Sequence, residues 1–294
     1  MSLSVCTLVR NRNALLRRVL EGLERSTVPP RELVVVRAGG EDPAPVLAAA
    51  RRVRVVVEEL PGDDEVIPYS AARNRAAAAA TGSAVCFLDA DAIPGPGLVA
   101  ALDAALADED AIAIGDILYL PPGAVGDDWT AGGLRALGRR HPGRPAPPAA
   151  GVAACDRHEL VWGTCFAMRR DRFLELGGFH EGFQGYAGED TDLAIRARAA
   201  GVPLRVVAGA EVLHQHHDVW DPPLQQFRAT LANARVFRDR HGWWPMGGWL
   251  DGFARLGLIA WDGDDVRVLR DPTPGEIDAA RRAGADAAAA MTPA

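Results

Sequence analysis

Three short runs of the chain carry residue types that could do chemistry. Asp89, Ala90 and Asp91 close the apolar run Val85-Cys86-Phe87-Leu88. In extended backbone, side chains two positions apart project to the same side, so these two carboxylates can face one divalent cation. The second run is Gly188-Glu189-Asp190-Thr191-Asp192, ahead of the amphipathic stretch Leu193-Ala194-Ile195-Arg196. Acidic residues are favoured in the first turn of a helix by its macrodipole, so the run reads as a helix start. A carboxylate placed there can also accept the proton of a substrate hydroxyl. In the third run, His214, His216 and His217 put three of the chain's seven histidines within four positions. Imidazoles suit Mn2+ beside carboxylate and phosphate oxygens; the ordinary alternative is a solvated polar turn.

Composition narrows the chemistry. The 294 residues are 48% hydrophobic and 24% charged, ordinary globular usage. No apolar run approaches the roughly 20 residues that a membrane helix needs, so no transmembrane segment is expected. With 32 basic and 39 acidic residues the net charge is −7, which argues against non-specific binding to nucleic acid or anionic membranes. Histidine apart, every basic residue is arginine, and the absence of lysine removes Schiff-base chemistry and any phosphate-loop lysine. Cys6, Cys86, Cys155 and Cys165 show no C-x-x-C spacing and read as reduced thiols. The N-terminus opens into a strand pattern without a basic leader or small-residue cleavage site, so a cytoplasmic protein is expected.

The candidate residues need elements to hold them. Apolar spacing predicts a strand over 2–9, then an amphipathic helix over 13–25 carrying Leu15, Leu16, Val19, Leu20 and Leu23. Strands over 33–36 and 53–57, a helix over 71–80 and a strand over 84–88 follow, separated by Gly, Pro or acidic turn signals. This alternation predicts an α/β fold with a mixed, mostly parallel sheet flanked by helices. Ligands bind such sheets outside the carboxyl ends of the strands, and Asp89 and Asp91 fall at one. Beyond them come a helix over 97–107 and a strand over 111–120. Residues 121–150, crowded with Pro and Gly, are expected to lack a core and to be either a lid or acceptor-facing loop or a disordered surface excursion. A strand from Glu159, a helix over 170–176, a helix starting near Gly188 and short strands over 204–207 and 212–213 complete the frame. The tail offers a helix over 224–240, a Trp-rich turn containing Trp243, Trp244 and Trp249, and a last helix from Glu276.

The segments SVCTLVRNR, SAARNRAAAAATGSAVCFLDADAIP and WGTCFAMRRDRFLELGGFHEGFQGYAGEDTDLAIRARAAG, in this order, resemble the nucleotide-sugar-dependent glycosyltransferases of the GT-A fold, family 2 in particular. The likeness spans residues 2–217. From Trp162 to His217 the chain also resembles the C-terminal half of the galactosyltransferase and polypeptide N-acetylgalactosaminyltransferase catalytic domains, whose metal-binding histidine follows the acidic motif at similar spacing. The resemblance implies a Rossmann-like GT-A domain over 1–217, with a nucleotide-binding half (1–91) and an acceptor and catalytic half (92–217), and a mainly helical extension over 218–294. It implies Mn2+ or Mg2+ held by Asp91 and His214, with His216 in reserve and Asp89 contacting ribose or the metal's water shell. Thr7, Val9 and Arg10 would border the base, Arg73 would reach the nucleotide or its phosphates, and Ala90 and Gly163 would complete the donor site. Asp190 matches the family's catalytic base, and Glu189 would orient the acceptor or donor sugar. The implied reaction moves a sugar, as from a UDP-sugar, to a hydroxyl of a sugar, glycoside or natural product. Having Asp rather than Asn after Glu189 favours inversion over retention. One departure stands out: the acidic residue usual after the second strand is replaced by Val36-Arg37-Ala38-Gly39-Gly40, which leaves Glu41 or Asp42 as stand-ins.

Two rival classes are separable. A sugar-phosphate nucleotidyltransferase should show a Gly-rich N-terminal loop and an active-site lysine, and this chain has neither. A non-catalytic nucleotide- or glycan-binding protein of the same fold should have lost one of the acidic runs, and both are intact.

Overall fold

The computed structural model describes residues 1–61, 66–289 and 292–293. Its first half runs β1 (Leu3–Val9), α1 (Asn13–Glu24), β2 (Glu32–Arg37), α2 (Ala44–Leu47), β3 (Val55–Glu59), α3 (Tyr69–Ala79) and β4 (Ala84–Leu88). This order lays β3, β2, β1 and β4 side by side and parallel, with Ser4 opposite Glu32 and Leu3 opposite Ala84. Side chains alternate along each strand, so the two faces receive different residues. Leu3, Val5 and Val9 of β1 join Leu33, Val35, Cys86 and Leu88 against Leu16, Val19, Leu20 and Leu23 of α1. Cys6, Leu8, Val34, Val36 and Phe87 pack on the other face against Ala72 and Ala76 of α3. Phe87 anchors that face, its ring 5.1 Å from Phe166, 5.0 Å from Phe173 and 5.1 Å from Phe179. Burial on both faces is what a parallel sheet covered by helices on each side requires.

The second half contains β5 (Ala92–Pro94), α4 (Leu98–Asp108), β6 (Ile112–Tyr119), α5 (Ala131–Leu137), β7 (Arg139–Arg140), β8 (Val152–Cys155), β9 (Cys165–Arg169), α6 (Arg170–Glu175), α7 (Glu189–Ala199) and β10 (Leu204–His214). β9 runs antiparallel to β4, placing Cys165 opposite Leu88, and meets β6 where Ala167 faces Ala113. β10 lies parallel to β6 and takes β5 and β8 antiparallel. The sheet is therefore mixed, with its longest ladders parallel. β10 is one strand of 11 residues where the spacing predicts two short ones. Its register shifts between Val206 and Glu211, with Gly209 at a φ of 78°. Gly115 of β6 makes room for the bulge, since a Cβ there would lie 1.7 Å from the Ala210 carbonyl oxygen. The gap that the spacing leaves between 207 and 212 is a β-bulge around Gly209 within one continuous strand.

Residues 121–150 pack more than their Pro and Gly content predicts. Trp129 and Leu134 of α5 cluster with Ile93, Leu118, Leu120 and Leu213. The Trp129 indole nitrogen donates to Glu21 at 2.8 Å, and the Arg25 guanidinium lies 4.0 Å over its ring. One aromatic anchor thus holds the middle of the stretch against α1, whereas counting prolines weighs only the backbone.

The tail forms α8 (Phe227–His241), α9 (Gly247–Arg255), β11 (Ile259–Trp261), β12 (Val266–Val268) and α10 (Pro274–Ala289), and the backbone of β13 (Thr292–Pro293) pairs with β7. Leu224, Phe227, Leu231, Leu250, Phe253, Leu258, Ile259 and Val266 make a separate apolar cluster, against which Trp244 and Trp249 pack. α9 starts inside the run that reads as a Trp-rich turn, and α10 begins at Pro274, two residues before the predicted start. Helices open well on Pro at the first position.

Candidate active site

β4 ends where the parallel half of the sheet ends, and Asp89 and Asp91 follow it. A tight turn closes there: the Ala92 N–H donates to the Asp89 carbonyl at 3.0 Å. Asp91 is only 3% exposed. Its Oδ2 accepts from Arg12 Nη1 at 2.5 Å, and His217 Nε2 stands 3.8 Å away. Its Oδ1 is buried and accepts no hydrogen bond from any described residue, with His214 Nε2 at 3.5 Å. β10 delivers His214 at its last position, opposite Ala92 of β5 and Tyr119 of β6. The next residue locks the turn, the Gln215 N–H donating to the Asp91 carbonyl at 2.8 Å. Ligand atoms of Asp91, His214 and His217 all lie within 4.8 Å of one another. Burial first, then the neighbouring charges of His217 and Arg12, hold the His214 imidazole below its ordinary pKa against the pull of Asp91. The neutral ring is the form that binds metal.

These residues fit a divalent cation. Arg12 pairs with one oxygen of the Asp91 carboxylate and leaves the other buried without a donor, and two imidazoles beside that oxygen complete an O/N donor set suited to Mn2+. His216 is exposed and lies outside the triad, so His217 takes the place that the sequence reserves for it. Asp89 also lies outside the triad and turns instead to Arg73.

Arg73 bridges the two acidic runs. α3 buries it to 6% exposure, with its guanidinium 5.6 Å over the Tyr69 ring and 5.5 Å over the Phe179 ring. Nη1 donates to Glu189 Oε1 at 2.6 Å and Nη2 to Asp89 Oδ1 at 3.1 Å. Gly163 runs beside the guanidinium so closely that a Cβ would sit 2.3 Å from Nη2. The same glycine donates its N–H to Asp190 Oδ2 at 2.9 Å, while Asp190 Oδ1 accepts from the Thr191 N–H at 2.7 Å. One guanidinium therefore pairs with two carboxylates and lies within the field of a third, Asp190. Burial and then the Asp190 charge push the Glu189 carboxyl up to about 7, more than Arg73 offsets. Burial likewise lifts Asp89 to about 6, with Arg73 opposing and Asp91 adding to the rise. Glu189 Oε2 is buried with no described partner.

The β1 edge contributes mainly backbone and shape. Val9 and Ala90 are core residues, 1% and 5% exposed. The Val9 carbonyl accepts from the Ala38 N–H at 3.0 Å. Thr7 is buried with its hydroxyl unpartnered among the described residues, and Arg10 is half-buried. Asn11 takes a left-handed φ of 55° and accepts from the Glu41 N–H at 2.9 Å, a turn that sends Arg12 toward Asp91. Of the two stand-ins for the missing base contact, Asp42 is committed to the Ala44 N–H at the start of α2, and Glu41 is exposed. Nothing in the sequence points to Arg12, whereas His217 is one of the three clustered histidines among which the sequence leaves the metal ligand open. Arg12 stands among several arginines with no periodicity to single it out.

The family model of glycosyltransferase like family 2 matches residues 1–233. The chain belongs to that family. This transferase is 31% identical over 255 residues to the N-acetylglucosaminyl-diphospho-decaprenol L-rhamnosyltransferase of Mycobacterium tuberculosis, covering 78% of this chain and 82% of the relative. It is 28% identical over 228 residues to the validoxylamine A glucosyltransferase of Streptomyces hygroscopicus subsp. limoneus, covering 69% of this chain and 49% of the relative. Among solved structures, S. aureus TarS 1-349 in complex with UDP-GlcNAc superposes with a TM-score of 0.58 at 15% identity, over 80% of this chain and 66% of that one. GalNAc-T7 with UDP, GalNAc and Mn2+ gives 0.53 at 19%, over 74% and 43%. These likenesses establish the GT-A fold. Among the described residues, no helix of the transferase is long and apolar enough to cross a membrane.

Proposed function

We propose that this glycosyltransferase uses a nucleoside-diphosphate sugar, a UDP-sugar foremost, and transfers the sugar with inversion to a hydroxyl of a sugar, glycoside or natural product. The observation that carries the reading is the meeting of the Asp91, His214 and His217 triad with the Asp89–Arg73–Glu189 bridge at the carboxyl ends of the strands. Asp91, His214 and His217 would hold Mn2+ or Mg2+, which when bound supplies positive charge to the departing diphosphate. Asp190 is the proposed general base. Its contacts to Gly163 and Thr191 fix the carboxylate at the start of α7, where it takes the proton of the attacking hydroxyl. Glu189, held by Arg73, orients a sugar hydroxyl through its unpartnered oxygen. Thr7, Arg10 and the backbone at Val9, Ala90 and Gly163 shape the wall for the nucleotide. Residues 1–217 are proposed as the catalytic domain and 218–294 as its extension, in the cytoplasm. The names of the two relatives, which specify a diphospho-decaprenol-linked sugar and validoxylamine A, support a glycoside or natural-product acceptor.

The test is incubation with a panel of UDP-, GDP- and dTDP-sugars and Mn2+, reading release of nucleoside diphosphate with and without candidate acceptors. Acceptor-stimulated release from one donor supports the reading. Binding of a nucleotide sugar with no release under any condition favours the non-catalytic alternative.

A further inference from the structure

We propose that Asn233, on α8 of the C-terminal extension, is a positioning residue for the catalytic pair Glu189 and Asp190; this rests on the function proposed above. Asn233 is 1% exposed, yet its side chain is polar. Its Oδ1 accepts from the Gln184 N–H at 3.0 Å. The two protons of its Nδ2 are shared among the carbonyls of Gln184 at 3.0 Å, Tyr186 at 2.9 Å and Ala187 at 2.9 Å, one of them bifurcated. Three carbonyls facing one amide nitrogen fix which end of the amide points where. One side chain thus organises the whole segment that leads into α7.

That segment needs holding. Ala187 has a φ of 76° and Gly188 a φ of 98°, two successive left-handed residues immediately before Glu189. Glycine tolerates this region, whereas alanine does so only when its surroundings impose it. The bond from Asn233 to the Ala187 carbonyl is such a constraint, and a Cβ at Gly188 would press within 3.1 Å of the Phe183 ring. The extension grips α7 a second time one turn further on. Asp192, fully buried, accepts from Arg240 Nε at 2.7 Å and from His241 Nε2 at 2.9 Å, both at the end of α8. Trp249 of α9 stacks on Tyr186 with ring centroids 5.8 Å apart, covering the same segment from outside.

The contacts flank the catalytic pair on both sides. Packing alone would be served by an apolar residue at 233; a buried amide with four hydrogen bonds specifies one backbone path. That path sets where Glu189 meets Arg73 and where Asp190 meets the Gly163 N–H. A catalytic domain ending at residue 217 would omit this clamp, whereas the family match extends to residue 233.

The experiment compares Asn233→Ala, the milder Asn233→Ser and the control Phe253→Leu, which loosens the extension's own core, in the full chain. Amide hydrogen exchange over 184–191, UDP affinity with Mn2+ and donor turnover are measured for each. Losing several hydrogen bonds should speed exchange over 184–191 by at least ~10-fold in Asn233→Ala, with Asn233→Ser between it and the wild type. Turnover should fall by at least ~10-fold while the UDP affinity moves less than about twofold, because a misplaced base affects the chemical step and not donor binding. Phe253→Leu should lower Tm but leave turnover near normal. Unchanged exchange over 184–191, a parallel loss of UDP affinity, or an equal turnover loss in Phe253→Leu would overturn the proposal. If the wild type turns over no donor, the functional reading fails, and the exchange measurement still decides whether Asn233 holds the segment.

Discussion

Arg12 donates through Nη1 to Oδ2 of Asp91 at 2.5 Å, while Oδ1 of the same buried carboxylate accepts nothing from the described residues. The guanidinium supplies one positive charge where the triad of Asp91, His214 and His217 has room for a second. Arg12 is 46% exposed, so the pair is screened and worth little on its own. A divalent cation bound by the triad competes with Arg12 for Asp91. Arg12→Ala should therefore raise the affinity of the nucleotide-free protein for Mn2+ by about twofold to fivefold, since an exposed ion pair is worth up to ~1 kcal/mol. Electron paramagnetic resonance of free Mn2+ reads this directly. Equal or weaker Mn2+ binding in the variant would contradict a metal role for Asp91.

Arg73 carries more weight because it is buried with both partners in hand. Removing one member of a buried pair typically costs ~3–5 kcal/mol, and Arg73→Ala should lose stability on that scale in urea denaturation. The loss should depend on pH. Glu189 ordinarily titrates at 4.5, and burial followed by the Asp190 charge lifts it to about 7 in the folded state. The folded protein thus retains a proton that the unfolded chain releases across that window. The stability tied to this group is present at low pH and fades as pH rises through about 7. Without Arg73 the ionised form loses the guanidinium that opposes its rise, so the variant's deficit should be larger at pH 8 than at pH 5. A deficit independent of pH would show that the guanidinium is not compensating Glu189.

The parallel half of the sheet was legible because β1, β2 and β4 are short apolar runs bounded by turns, and their alternation places distinct residues on each face. The acidic runs were legible because chemistry restricts the residue types. Other features depend on partners far away in sequence. Arg12 reaches Asp91 across 79 positions, and Asn233 reaches Ala187 across 46. Nothing local distinguishes that arginine or that asparagine from a surface residue of the same type. Trp129 was overlooked for the opposite reason, since the prolines around it dominate a local reading whereas its indole packs on α1.

Gly163 makes a sharp steric prediction. Gly163→Ala places a methyl group 2.3 Å from Arg73 Nη2 and 2.9 Å from its Cζ. The guanidinium is pinned by Asp89 and Glu189 and has little freedom to yield, so the variant should lose ~1–3 kcal/mol of stability, as overpacking does. Turnover should fall with it, because Arg73 and the Gly163 N–H both address the acidic residues at the start of α7. Thermal unfolding and turnover measured together check this; a wild-type Tm would show that the segment relaxes freely.

Asp190 is the proposed base, and Asp190→Asn preserves its size while removing the proton acceptor. Turnover should drop by at least ~100-fold, the usual loss for a positioned base, with donor affinity retained. The anomeric proton coupling of the product, compared with that of the donor by NMR, should show inversion. Retained configuration, or near-normal turnover in the variant, would assign the proton transfer elsewhere.

The most direct measurement is calorimetric titration of UDP, GDP and dTDP into the wild-type protein and Asp91→Ala, each with Mn2+ and again with EDTA. At least one nucleotide should bind the wild type with Mn2+, and chelation or loss of Asp91 should each weaken binding by at least ~10-fold, equivalent to about 1.4 kcal/mol. Binding that is equal in EDTA and Mn2+ and indifferent to Asp91, or no binding of any of the three nucleotides, would contradict a metal-assisted nucleotide-sugar site.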